Sequence, residues 1–478
     1  MKKILFISAA ALFAFAGCSK ESNDPTAGLS ETNKWVREQM AENYLWSAEL
    51  PKSNEGGDGD TPLYFERLRY RQNRSVNYRE DTYGDRFSEI RPLSEATRSG
   101  AEEQSYDFGY RLQPWRYGEN GILAEICYVI PGSPADLAGL RRGDIFTRVN
   151  STTLVMSNWR SLLFGEQSSM LINELLNRPD MKLINLHKGH FYDPPILLDT
   201  IYETPARTAY LLYTHFPESG LSDPYGKQLC EAFGRFKAAG VETLFLDLRY
   251  NSGGYYANAN LLASLLAPAS ELGKTFMYFE TNRSFGRPQA FTAQQLLSAA
   301  QIGLYNPDIK NLYILTSEYT ASASELIIHT LRTVYARAER KLWVVGETTY
   351  GKNLGGRTFT SDDHDWEMSL IWSRVHNLER KSGYEKGLSP DAGPHSEFDK
   401  RPIPSGNYYI LAPLGDYLNE HLLKVAVSEA FPGIFALPTV GVSRSPDGGA
   451  ARPLTLPAAA MTSQRPTGLI VDLCLDEE

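Results

Sequence analysis

Residues 311–332 read N-L-Y-I-L-T-S-E-Y-T-A-S-A-S-E-L-I-I-H-T-L-R, and residues 341–352, after a basic turn, read K-L-W-V-V-G-E-T-T-Y-G-K. The run 312–316 is short and mostly apolar, the pattern of a buried strand. Small residues follow, and then Leu326, Ile327, Leu331 and Val334 recur at helical spacing. A second buried strand at 342–345 leads to a Gly-containing loop that ends in Lys352. This order puts Ser322 at a strand-to-helix junction, where orphan helix N–H groups and the positive end of the dipole are available. A lysine arrives on the next loop, which is the layout a Ser–Lys hydrolase needs. Two other readings fit the same residues. Ser322-x-x-Glu325 is a capping box, which would make the serine structural. Gly346 to Lys352 has the spacing of a phosphate loop, but Asn353 stands where the magnesium-binding hydroxyl belongs, and Leu354-Gly355-Gly356 does not continue as a helix.

Alternation of strand and helix extends upstream. A strand is predicted at 208–213, a helix at 226–239, and a buried strand at 241–249 that runs into Tyr250-Asn251-Ser252-Gly253-Gly254, followed by a helix at 257–266. That succession predicts an α/β domain over 199–437. Downstream, 357–372 reads as a strand hairpin and 416–430 as a helix. Residues 438–478 form a segment rich in Pro, Ser, Gly and Ala, with a last strand predicted at 469–473.

The chain begins with Lys2 and Lys3, an apolar run over 4–15, and Ala16-Gly17-Cys18. The run is short for a membrane span, and its ending resembles the bacterial lipobox, which implies a signal peptide at 1–17 and lipidation of Cys18. A polar tether over 18–30 follows. The mature protein is then expected to sit on a membrane through its N-terminal lipid, in the bacterial cell envelope outside the cytoplasm; the sequence does not distinguish the leaflets. The net charge of −9 and the absence of a basic patch argue against a nucleic-acid partner. Cys127, Cys230 and Cys474 are widely spaced and read as small buried hydrophobes, and the scattered histidines give no metal site and no cofactor.

Residues 31–100 read as a small helical domain. Trp35, Val36, Met40, Tyr44 and Leu45 recur at helical spacing, and a second helix starts near Thr61-Pro62, with the threonine as cap. Residues 103–192 carry Gly132-Ser133-Pro134-Ala135, Ala138-Gly139-Leu140 and Gly143-Asp144-Ile145, ending in Val149-Asn150. This long pattern resembles a PDZ domain, which implies capture of a peptide C-terminus as an added strand, with Phe108-Gly109-Tyr110 as the carboxylate loop.

Taken together, L-F-L-D-L-R-Y-N-S-G-G at 244–254, T-S-x-x-T-A-S-A-S-E-L at 316–326 and V-V-G-E-x-T-x-G-K at 344–352 resemble the motif order of the C-terminal processing (tail-specific) serine peptidases, in particular lipoprotein members from Bacteroidetes. The resemblance implies a multidomain α+β protein: a helical N-terminal domain, a PDZ domain and a crotonase-like α/β Ser–Lys peptidase core. It also implies Ser322, rather than Ser324, as nucleophile and Lys352 as general base. The oxyanion hole would use N–H groups of Ala323 and of Gly253 or Gly254. A lysine acts as a base only when neutral, so its pKa must fall from about 10.4 toward 7–8. The strand at 343–345 and the apolar helix face are the candidate desolvating walls. Many family members carry a glutamine four residues after the lysine to orient it; Gly356 stands there, with the Asn353 amide or the Glu325 carboxylate as candidate substitutes. No serine is followed by lysine at S-x-x-K spacing, which sets aside β-lactamase chemistry.

The function implied is a serine endopeptidase acting on extracytoplasmic proteins or peptides with exposed C-termini. The alternative is a non-catalytic peptide-binding scaffold that keeps the fold. Oligomeric state is not legible in the sequence.

Overall fold

The computed structural model describes residues 24–54, 57–95, 104–174, 180–218, 221, 223–398, 411–435 and 469–470. Cys18, the signal sequence, Cys474 and most of 438–478 lie outside these residues.

The peptidase region is built on a five-stranded sheet. Its strands run in the order Ile196–Tyr202, Thr208–Tyr213, Thr243–Asp247, Asn311–Thr316 and Lys341–Gly346. The first pairs antiparallel; the other three pairings are parallel. All five residues of Thr243–Asp247 are buried, as a parallel strand covered on both faces requires. On one face Leu211, Leu244, Leu246, Leu312 and Val344 pack under helices Pro224–Ala238, Tyr256–Leu266 and Ala323–Arg337. On the other, Tyr210, Leu212, Phe245, Tyr313 and Val345 meet helix His421–Ala430 and the PDZ residues Cys127, Tyr128 and Phe191. Cys127 and Cys230 are buried, and among the described residues no disulfide joins them to each other.

Three loops therefore leave the carboxyl ends of adjacent parallel strands on the same edge of the sheet. They carry Gly253, Ser322 and Lys352. This is the edge where open α/β sheets place their sites.

A second sheet contains Thr275–Thr281, Leu354–Ser361 and Trp366–His376. The N-terminal helices Glu31–Asn43 and Thr61–Leu68 pack on it through Val36, Met40, Tyr44 and Phe65 against Leu354, Met368 and Leu370. Strand Glu89–Pro92 then pairs antiparallel with 366–369, so the N-terminal domain shares a sheet with the peptidase region. In the PDZ region, strands Tyr110–Tyr117, Gly121–Val129 and Ile145–Phe146 form a three-stranded sheet, and the helix Pro134–Leu137 starts where the sequence pattern puts it.

Two local expectations are corrected. The N-cap of the second helix is Asp60, and Thr61 is its first residue. The C-terminal helix begins at His421 instead of 416. Asp416 folds back onto the N–H groups of Leu418 and Asn419, and the Glu420 carboxylate caps Leu422 and Leu423. Of the last predicted strand, residues 469–470 pair with Gly355 and Gly356; the rest lies outside the described residues.

Candidate active site

Ser322 begins the helix Ala323–Arg337, but it does not sit as an ordinary cap. Its backbone has φ 56° and ψ −112°, a left-handed conformation unfavourable for a residue with a side chain. It is buried, 2 % exposed, and among the described residues its Oγ makes no hydrogen bond. The residues of the sequence-predicted box are in place, and the Ser322 N–H donates to Glu325 Oε2 at 2.9 Å. A structural capping serine would spend its hydroxyl on the helix N–H groups. Ser324 does spend its hydroxyl, on the Asn251 carbonyl.

Loop 317–322 is stapled to the loop after Asp247. The Thr320 hydroxyl donates to the Leu248 carbonyl, and the Ala321 N–H donates to the Asn251 carbonyl. A Cβ at position 253 would stand 2.7 Å from Ser322 Cβ and 3.1 Å from the Ala323 nitrogen, so glycine is what lets this turn lie against the serine. Gly253 (φ 108°) and Ala323 thus flank Ser322. In this conformation the Gly253 N–H donates to Asn251 Oδ1 at 2.9 Å. Gly254 instead abuts the Phe216 carbonyl, 2.1 Å from where its Cβ would be.

Lys352 is 4 % exposed. Burial lowers its pKa to about 8, against the countering fields of Glu89, Asp85 and Glu325 and with help from Arg86. Its N–H donates to Glu325 Oε2 at 2.7 Å, the same oxygen that receives Ser322. The other oxygen, Oε1, accepts the Gly351 N–H at 2.7 Å and the Thr349 hydroxyl at 2.5 Å. Glu325 therefore ties the nucleophile helix to the lysine loop. Burial raises the Glu325 pKa, while these four donors favour its charged form.

Asn353 does not orient the lysine. Its amide donates to the Ser382 carbonyl, the Ser382 hydroxyl and Glu385 Oε1. Trp343 is not seen as the desolvating wall either; it lies beside Lys341, whose Nζ is 4.6 Å from its ring. The ring found over Lys352 Nζ, at 4.6 Å, is that of Phe87. Sequence reasoning did not find Phe87 or Arg86, which belong to a domain 265 residues upstream of the loop they touch. No local motif could have signalled them.

The PDZ region reaches the same edge. Tyr319, three residues before Ser322, packs with PDZ core residues and donates its hydroxyl to Gln113 Oε1 at 3.1 Å. Arg142 donates to the Tyr250 hydroxyl and to Glu397. Beneath it, fully buried Arg249 bonds Asp247 and both oxygens of Glu420, and although burial alone would raise the Glu420 pKa, Arg249 draws it down to about 2. Phe108, Gly109 and Tyr110 form a buried turn in which the Phe108 N–H is held by Asp107 Oδ1 at 2.8 Å. Among the described residues no cluster of His, Cys, Asp or Glu could hold a metal, and no helix is long and apolar enough to cross a membrane.

Residues 207–393 match the model of Peptidase family S41, residues 31–88 that of the Peptidase S41 N-terminal domain, and residues 125–169 that of a PDZ domain. The chain is 27 % identical over 279 residues to the carboxy-terminal processing protease CtpA of Bacillus subtilis, covering 56 % of this chain and 52 % of that protein. It is 22 % identical over 270 residues to the chloroplastic carboxyl-terminal-processing peptidase 2 of Arabidopsis thaliana, covering 55 % and 48 %. The chain thus spans about half the length of the curated relatives it matches. Among solved structures, one from Bacteroides fragilis NCTC 9343, assigned as an S41 protease, shares the fold at a TM-score of 0.63 and 23 % identity, covering 83 % of this chain and 96 % of that one.

Proposed function

The chain belongs to peptidase family S41, by residues 207–393 and by that family's N-terminal domain, and on that premise we propose that it is a serine endopeptidase with a Ser322–Lys352 dyad. The observation that carries the reading is the shared Glu325 oxygen, which draws the backbones of Ser322 and Lys352 together around one buried point. A strained, unbonded hydroxyl and a lysine with a pKa of about 8 are the two things a Ser–Lys mechanism requires. The neutral amine takes the Ser322 proton as Oγ attacks the scissile carbonyl, and the same lysine then protonates the leaving amine. The oxyanion is received by the Ala323 N–H and by the glycine turn once Gly253 is released from Asn251. Such donors are worth about 3–4 kcal/mol each. Among the described residues Ser322 Oγ makes no hydrogen bond, so it is available to give its proton to the base.

The PDZ region supports selection of peptide substrates, in this reading by their C-termini. The sequence at 1–18 supports export and a lipid anchor at Cys18, which would place the enzyme outside the cytoplasm. Incubating the purified protein with an unstructured model protein tests the chemistry: cleavage is expected, and Ser322→Ala and Lys352→Ala should each abolish it. Full cleavage by Ser322→Ala would end the reading. Membrane fractionation that survives Cys18→Ala would end the anchor proposal.

A further inference from the structure

The lysine loop is held from two sides, and the second side belongs to another domain. Arg86 Nη2 donates to the carbonyls of Gly351, at 3.2 Å, and Glu385, at 3.3 Å. Its guanidinium lies over the Phe87 ring at 4.9 Å and over Tyr350 at 6.0 Å. Phe87 and Tyr350 are themselves in tilted ring contact at 6.3 Å, and the Phe87 ring also covers Lys352 Nζ. Residues 350–352 therefore sit in a pincer between Glu325 beneath and the pair Arg86–Phe87 above.

That pair is rigidly mounted. The N–H groups of Phe87 and Ser88 both donate to Asp85 Oδ1, at 3.0 and 2.9 Å. Asp85 is buried, its Oδ2 accepts the Tyr44 hydroxyl at 2.7 Å, and its carbonyl accepts from Arg69 at 2.6 Å. Ser88 Oγ accepts the Ile371 N–H at 2.9 Å, and the chain then enters the second sheet at Glu89. A turn fixed at both ends costs little further entropy to hold its side chains in place. Position 356, four residues after the lysine, is a glycine and supplies no side chain, and the Asn353 amide is committed elsewhere.

We propose that Arg86 and Phe87 of the N-terminal domain are positioning residues for Lys352, closing the base off from water and fixing its loop, so that the peptidase region is incomplete without the domain that precedes it. The proposal rests on the reading of Lys352 as the general base. The charged groups that face the lysine are Asp85, Arg86 and Glu89 on this strap and Glu325 on the nucleophile helix. Removing Phe87 admits water and lets the ammonium form survive to higher pH. Removing Arg86 takes away a repelling cation, with the same sign.

The test is the pH dependence of acetylation at residue 352, read by mass spectrometry on the full-length chain carrying Ser322→Ala, so that it needs no turnover. With Phe87 intact the midpoint is expected near 8. Phe87→Ala should move it up by about one pH unit or more, and Phe87→Leu, which keeps an apolar cover, should hold it within about half a unit. In the Ser322 chain, kcat for peptide cleavage should fall at neutral pH in Phe87→Ala with KM little changed, its pH profile should move up in parallel, and Phe87→Leu should restore it. Arg86→Ala, which leaves the Phe87 packing in place, should also move the midpoint up, and it decides the matter if Phe87→Ala does not fold. A midpoint unchanged in a folded Phe87→Ala or Arg86→Ala chain overturns the proposal. A shifted midpoint in a chain that cleaves nothing leaves it standing and overturns the peptidase reading instead.

Discussion

One carboxylate oxygen of Glu325 accepts the backbone N–H of Lys352 at 2.7 Å while also holding that of Ser322. Neither bond uses the side chain that would react. With Thr349 and Gly351 on the other oxygen, four donors converge on an acceptor-only group. Glu325→Gln would turn an N–H₂ toward those donors. It is expected to lose about 3 kcal/mol of stability or more, and on the order of a hundredfold in turnover, because the amide both breaks bonds and leaves buried donors unmet. Denaturant unfolding beside steady-state kinetics checks this; a variant equal to the parent in both would remove Glu325 from the site.

Ser322→Ala separates the cap from the nucleophile. A capping hydroxyl replaced by alanine costs about 0.5–2 kcal/mol. Here the hydroxyl is buried and, among the described residues, unbonded, so its removal should change stability by less than about 0.5 kcal/mol in either direction. Activity should fall on the order of a thousandfold or more. Equal thermal unfolding with lost turnover is the expected pair of results. Lost stability with retained turnover would restore the capping reading.

Much of this site is legible in the sequence. The continuous apolar runs at 244–246 and 312–315 mark parallel strands because such strands are covered on both faces, and the glycines at 253 and 254 mark a turn that must lie against its neighbours. Order along the chain also places Ser322 and Lys352 at the same edge of the sheet. What stays hidden depends on contacts between distant segments. Lys352 needs an apolar cover, and the nearest apolar residues in the sequence point to the strand at 343–345 and the apolar helix face; the ring found over its Nζ is that of Phe87, brought in by a strand pairing between 89–92 and 366–369 that no local pattern announces. Asn353 looks suited to orient the base, yet Ser382 and Glu385 take its amide. The strained φ of Ser322 is likewise set by its surroundings and not by its own preference.

Lys352 should make the protein less stable than it need be at neutral pH. Its folded pKa of about 8 lies below the ordinary 10.5, so the unfolded chain binds more protons between those values and stability rises with pH across that window. The penalty is fully present below about pH 8 and amounts to about 3 kcal/mol. Lys352→Met, which keeps the length and cannot charge, should therefore raise Tm at pH 7, and its advantage should shrink toward about pH 10. The same titration predicts a cleavage rate that climbs through about pH 8, since only the neutral amine accepts the serine proton. A rate that stays flat from roughly pH 6 to about pH 9 would exclude Lys352 as base.

The last prediction concerns the PDZ turn. A carboxylate-binding loop offers free backbone N–H groups, but here the Phe108 N–H is already given to Asp107 Oδ1, and Oδ2 of the same side chain faces Arg111 at 3.4 Å. On the proposed reading of residues 108–110 as the carboxylate loop, Asp107 would occupy, from within the chain, a place a peptide C-terminus competes for, and its charge would repel that terminus. Asp107→Ala removes both the competing acceptor and the repelling charge. Peptides ending in a free carboxylate are expected to bind the variant more tightly, by about tenfold, the equivalent of one charge-assisted hydrogen bond of about 1.5 kcal/mol. Their amidated counterparts should bind parent and variant alike. Calorimetry with the acid and amide forms of one peptide decides it: an acid peptide that gains nothing from Asp107→Ala would mean that residues 108–110 do not read the carboxylate.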